Sequence, residues 1–162
     1  MMQIYILRHG IADDPKHGQP DSERALTDQG REKLRRVLRR ARSAGVTPAA
    51  ILSSPYRRAL ETAEVAAKEL DFAGEVKRTR ALIPEASPSE LWDELRALKD
   101  EPAVLLASHE PLTGRLVAYL LGSTELEVDV KKGALIRIDC DRIGTEPRGV
   151  LKWMLTPGIA GS

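Results

Sequence analysis

Two histidines and two arginines in this sequence stand where short apolar runs break off. Arg8 and His9 follow the β-rich run Gln3-Ile4-Tyr5-Ile6-Leu7, and Gly10 behind them lets the chain turn. Arg58 lies a few residues beyond Ala49-Ala50-Ile51-Leu52, and His109 just beyond Ala103-Val104-Leu105-Leu106-Ala107. Brought together, the four side chains make a cationic pocket. Guanidinium groups bind phosphate through paired N–H donors, and imidazole serves as nucleophile, donor or acid/base near neutral pH, so the set suits phosphoryl transfer. Two arginines beside the histidines oppose a bound cation, so no metal and no cofactor is expected.

Such a pocket needs strands that end at one edge of a sheet, where open α/β proteins bind their ligands. Gln3 to Leu7 has the length and the β-branched or aromatic character of an interior strand, Ala49 to Leu52 reads as a second parallel strand, and Ala103 to Ala107 as the central apolar one. Helix signals fall between them. Thr27 is the predicted N-cap of a helix with Leu34, Val37, Leu38 and Ala41 as its apolar stripe, stopping near Gly45. Ser54 as N-cap and Pro55 at the first helical position predict a second helix from Pro55 to Leu70, whose N-terminus offers N–H groups to an anion. Ser87 and Glu90 have capping-box spacing around Pro88 and open a third helix ending near Asp100; Pro111 to Leu121 is a fourth, closed by Gly122. Glu75 to Thr79 reads as an edge strand, and Leu135–Asp139 with Val150–Leu155 as a closing antiparallel pair. The order predicts one α/β domain over residues 1–156, a three-layer α/β/α sandwich with a mainly parallel central sheet. Residues 157–162 read as a loose tail.

The chain of 162 residues, 42% hydrophobic and 30% charged, has the size and balance of a soluble single domain. It contains no apolar run of the roughly 18 to 20 residues that a membrane span requires. The net charge of +1 argues against a general nucleic-acid binder. Cys140 is the only cysteine, so no intrachain disulfide forms, and the N-terminal residues lack the pattern of a signal peptide; a reducing, cytoplasmic setting is expected. Charge is concentrated between Arg31 and Arg42, with seven Arg or Lys and the single acid Glu32. That helix face reads as solvated, or else as a docking patch for an acidic protein or an RNA.

At this point the motifs carry a resemblance. Leu7-Arg8-His9-Gly10, Ser54-Pro55-Tyr56-Arg57-Arg58-Ala59 with Glu61-Thr62-Ala63, and Ser108-His109-Glu110 resemble, in order and spacing, the motifs of the histidine phosphatase superfamily, which includes the phosphoglycerate mutases. The short length and the segment Arg24-Ala25-Leu26-Thr27-Asp28-Gln29-Gly30 make the chain most similar to the small bacterial SixA-type phosphohistidine phosphatases. The resemblance implies a phosphoglycerate mutase-like fold and a metal-independent phosphatase. His9 is then the nucleophile that becomes a phosphohistidine, and Arg8, Arg58 and His109 hold the phosphoryl oxygens. Arg58 matches the family arginine because it directly precedes Ala59; Arg57 has a structural or surface reading, and His17, in a loop without a motif, an exposed one.

Two departures shape the expected chemistry. Ile11-Ala12-Asp13-Asp14 stands where many relatives carry a Thr or Ser and then an Asn. The general acid of larger relatives is a carboxylate on an insertion before the central strand; that region is short here, and Glu85 is the nearest candidate. Loss of an acid costs an alkoxide leaving group on the order of 10² to 10⁴ in rate. Protein phosphohistidine, with its good imidazole leaving group, is therefore the preferred substrate. The alternatives are a broad small-molecule phosphomonoesterase, or a non-enzymatic phosphoprotein or RNA-docking module using the basic helix 31–42.

Overall fold

The computed structural model describes residues 1–161. From the N-terminus the chain forms β1 (Met2–Arg8), α1 (Asp28–Ser43), β2 (Ala50–Ser53), α2 (Arg57–Glu69), β3 (Lys77–Arg78), α3 (Pro88–Ala97), β4 (Ala103–Ser108), α4 (Leu112–Leu120), β5 (Leu135–Cys140), β6 (Gly149–Leu155) and α5 (Pro157–Ala160). The strands make one sheet in the order β3-β2-β4-β1-β5-β6. The first four of that order are parallel, and β5 runs antiparallel to both of its neighbours, β1 and β6.

Alternation along the strands sorts side chains into two cores. Ile4 and Ile6 of β1 and Val104 and Leu106 of β4 face α3 and α4, packing with Leu91, Trp92, Leu95, Leu116 and Val117. Tyr5, Leu7 and Leu105 face the other way, onto Leu34, Val37 and Leu38 of α1 and Ala63 and Ala66 of α2. Helices therefore cover both faces, and β4 is buried along its whole length, as an interior parallel strand should be. The result is the three-layer α/β/α sandwich expected from the order of elements.

Three elements differ from the sequence reading in ways that have local causes. The second helix begins at Arg57, not Pro55, because Tyr56 is still extended and the Ser54 hydroxyl accepts from the Tyr56 N–H, bending the chain before the helix starts. Ser87 does precede α3, but its hydroxyl donates to the Glu90 carboxylate, not reaching a backbone N–H, and the helix ends at Ala97. Residues 157–160, read as part of a loose tail, form α5. The Thr156 hydroxyl caps it by accepting from Ile159 N–H, and Ala160 packs on the core beside α1. Ser162 lies outside the described residues.

Candidate active site

Register alone brings the two histidines together. Arg8 pairs with Ser108 across the parallel β1–β4 ladder, and the His9 N–H extends it by donating to the Ser108 carbonyl at 2.9 Å. The residues that follow each strand, His9 and His109, therefore stand side by side, with ring centroids 5.1 Å apart. On the far side of β4 the Ser54 N–H donates to the Ala107 carbonyl, which carries the start of the second motif to the same edge.

His9 is 6% exposed, and its ring is oriented by its own neighbour: Nδ1 lies 2.7 Å from the Gly10 carbonyl oxygen. A carbonyl can only accept, so Nδ1 carries the proton and Nε2 presents a lone pair. Burial pushes the His9 pKa down to about 4. The Gly10 carbonyl works against that shift, while the charges of Arg58, Arg8 and Lys132 reinforce it. The ring is neutral at physiological pH.

His109, 1% exposed, places Nε2 at 2.8 Å from the Ser54 hydroxyl oxygen. That oxygen already accepts from the Tyr56 N–H. The hydroxyl proton is then best used toward His109 Nε2, which leaves the ring proton on Nδ1, buried and without a hydrogen-bond partner among the described residues. Burial lowers the His109 pKa to about 2, helped by His9 and the two arginines. Tyr56 closes this side, its ring 5.0 Å from that of His109 and 5.2 Å from the Arg58 guanidinium carbon.

The two arginines are anchored by their terminal nitrogens. Arg8 donates through Nη1 to the Val130 carbonyl at 2.7 Å; Arg58, 5% exposed, donates to the Asp21 carbonyl at 2.8 Å and to its carboxylate at 3.0 Å. In both, Nε is buried and unpartnered among the described residues. Arg57, by contrast, is 57% exposed and reaches only Glu61. With His109 Nδ1, the side chains assembled with His9 so keep three buried, unpartnered N–H groups, donors of the kind a tetrahedral oxyanion needs.

The rest of the motifs is scaffolding. The Thr62 hydroxyl accepts from the Gly10 N–H at 3.2 Å and donates to the Arg58 carbonyl at 2.7 Å, tying the first motif to the second. Glu61 accepts from Leu26 N–H and Arg31, fixing the loop that enters α1. The Glu110 carboxylate accepts from Thr113 and Gly114 and so caps α4. Gly30 sits where a Cβ would come 2.3 Å from the Ile11 carbonyl oxygen, so α1 presses directly on the loop after Gly10.

Arg8, His9, Arg58 and His109 are thus assembled at one sheet edge, whereas Glu85 is exposed and hydrogen-bonds to none of them. Asp21 was not singled out in the sequence, since an acid in a polar loop carries no signal until the loop folds back on Arg58. Burial pushes its carboxyl pKa up, but the hydrogen bonds from Arg24 and Arg58 outweigh that and hold it below the usual range. Among the described residues no group of three or more His, Cys, Asp or Glu could hold a metal ion, and no helix is long and apolar enough to cross a membrane.

Comparison with known proteins agrees with this geometry. The sequence profile of the histidine phosphatase superfamily (branch 1) matches residues 4–83. The phosphohistidine phosphatase SixA of Escherichia coli is 30% identical over 158 residues, covering 96% of this chain and 94% of that protein. An uncharacterized protein of Picosynechococcus is 32% identical over 139 residues, covering 83% of each. The solved structure of the protein histidine phosphatase SixA in complex with tungstate superposes with a TM-score of 0.87 at 29% identity, covering 97% of this chain and 98% of that one. The chain belongs to the histidine phosphatase superfamily, as a phosphatase of its SixA type.

Proposed function

We propose that the protein hydrolyses phosphohistidine on a protein substrate, without a metal, by way of a phosphoryl group carried on His9. The observation that carries this reading is the bare, neutral Nε2 of His9 on a ring 5.1 Å from that of His109 and within electrostatic reach of Arg8 and Arg58, side chains that each keep one buried N–H unpartnered among the described residues. Nε2 attacks phosphorus in line as the N–P bond to the substrate imidazole breaks. The leaving imidazole takes the electron pair and is protonated from solvent. Water then attacks the phosphorus on His9, releasing inorganic phosphate and restoring the neutral ring. Arg8, Arg58 and His109 hold the equatorial oxygens and neutralise the charge that spreads over them, which is most of what a phosphoryl-transfer site has to do. The positive charge of the two arginines, with the neutral N–H of His109, does the work for which other phosphatases recruit metal ions.

Substrate choice turns on the weakly placed acid candidate, Glu85. Glu85 makes no hydrogen bond into the site, so a leaving group that departs without strong protonation is favoured over a sugar alkoxide. The SixA relative is by name a phosphohistidine phosphatase, which points the same way. The basic face of α1 offers little support to a docking-module reading, because Arg31, Arg39 and Arg42 are paired with Glu61, Glu69 and Asp71, and Arg35 and Arg36 with Glu32. The buried, unpaired Cys140 thiol, its pKa raised to about 11 chiefly by burial, fits a reducing cytoplasm. The test is the ratio of kcat/KM on a phosphohistidine protein to that on sugar phosphates: a ratio of at least a hundred is expected, and a ratio near one contradicts the substrate assignment.

A further inference from the structure

A cavity of about 690 Å³ opens beside the site and shares Arg8 with it. Ile11, Lys33, Lys131, Lys132, Thr156, Pro157 and Gly158 complete its lining, and none of these has a role in the chemistry at phosphorus. Its walls are built into the fold. The Gly133 N–H donates to the carbonyls of both Arg8 and His9 at 3.1 Å, which fastens the turn carrying Lys131 and Lys132 to the backbone of the nucleophile. Gly133 has φ +78, and a Cβ there would stand 3.2 Å from Pro157, so this turn and the start of α5 are in near contact. Lys33 joins the lining from α1.

Two of the cations in this groove lack the carboxylate partner that most basic residues of α1, Arg40 excepted, have among the described residues. Lys131 pairs with Asp129 at 2.9 Å, but neither Lys33 nor Lys132 has a carboxylate partner among the described residues. Five arginines of the same helix each have one. Lys132 lines the cavity together with Arg8 and adds to the positive field at His9, so the groove carries the charge of the site outward. A phosphoryl group fills only the His9 pocket; the groove has room for several more residues' worth of side chains.

Resting on the proposed phosphohistidine activity, we infer that this groove binds carboxylate side chains flanking the phosphorylated histidine of the substrate protein, with Lys33 and Lys132 as specificity-determining residues. Charge of opposite sign at the rim of a site acts through encounter and register, so its effect belongs in kcat/KM and weakens with salt.

Two phosphohistidine peptides test this, one followed by three Glu and the other by three Gln, with phosphoramidate as the minimal substrate. The wild-type protein is expected to favour the Glu peptide by about tenfold in kcat/KM at low salt, and by much less at 0.5 M salt. In Lys33→Glu and in Lys132→Glu the ratio between the peptides should fall to one or below, with Lys33→Gln intermediate. Equal use of the two peptides by the wild type overturns the inference, as does a preference that survives both charge reversals or hydrolysis of phosphoramidate with neither peptide accepted. Failure of the underlying activity looks different: nothing is hydrolysed, phosphoramidate included.

Discussion

His9 and His109 face each other across the β1–β4 boundary with ring centroids 5.1 Å apart and planes inclined at 58°, yet neither carries a charge. Two imidazolium ions at that separation, beside two arginines, would repel strongly in a buried site. Keeping both neutral serves each in a different way. It leaves His9 with a lone pair on Nε2, and it lets His109 donate from Nδ1 without repelling the ring that must attack.

The neutrality has a measurable signature. In imidazole NMR of the free protein, His9 should be protonated on Nδ1 alone at pH 7 and should begin to take a second proton only as the pH approaches about 4. An apparent pKa near 6.5 contradicts this. The same shifts bear on stability. Both folded-state values lie below the ordinary histidine value, so the unfolded chain binds protons that the folded chain refuses. Stability is therefore complete above about pH 6.5 and falls as the pH drops toward 4, by about 2 kcal/mol per histidine at pH 5. Urea unfolding of the wild type and of His109→Asn between pH 8 and 5 checks the sign: the variant should lose less.

Asp21 competes for the guanidinium that a phosphate needs. Its carboxylate lies 3.0 Å from Arg58 Nη2 and is 59% exposed, so the pair adds little to global stability. Removing the carboxylate takes a negative charge away from an anion site while leaving the Asp21 backbone carbonyl as an anchor. Asp21→Asn should tighten inhibition by inorganic phosphate about threefold to tenfold and change the unfolding free energy by less than about 1 kcal/mol. Weaker phosphate inhibition would mean that Asp21 mainly positions Arg58.

Gly30 sets two effects of opposite sign against each other. An alanine inside a helix is ordinarily better than glycine by about 1 kcal/mol. Here the added methyl would meet the Ile11 carbonyl oxygen at 2.3 Å and the Ile11 nitrogen at 2.9 Å, both backbone atoms that cannot swing aside. The clash should win. Gly30→Ala is expected to be less stable than wild type by about 2 kcal/mol and, because Ile11 follows Gly10, to lower kcat as well. A more stable variant would show that the loop after Gly10 yields easily.

How legible all this was depended on whether a feature is local. Strands that end in Arg8-His9 and in Ser108-His109 announce themselves, since an apolar run broken by charge is visible in one dimension, and the parallel β1–β4 register then has little freedom in where it puts the two rings. The Thr27 cap was legible for the same reason. Ser54 was not: its sequence neighbours suggest a helix cap, but the hydroxyl is shared between Tyr56 N–H and a histidine 55 residues away. Asp21 and Lys132 reach the site only because a loop folds back and a turn is fastened to the backbone of Arg8 and His9, and long-range contacts of that kind leave no periodic trace.

The central claim is that phosphorus passes through His9. Rapid acid-free quenching of the wild-type protein with ³²P-labelled phosphohistidine protein should trap label on the enzyme, stable to base and lost in acid, at up to one equivalent. His9→Ala should trap none and hydrolyse the substrate at least 10³-fold more slowly. Label on the His9→Ala protein, or turnover by it at the wild-type rate, would contradict the account.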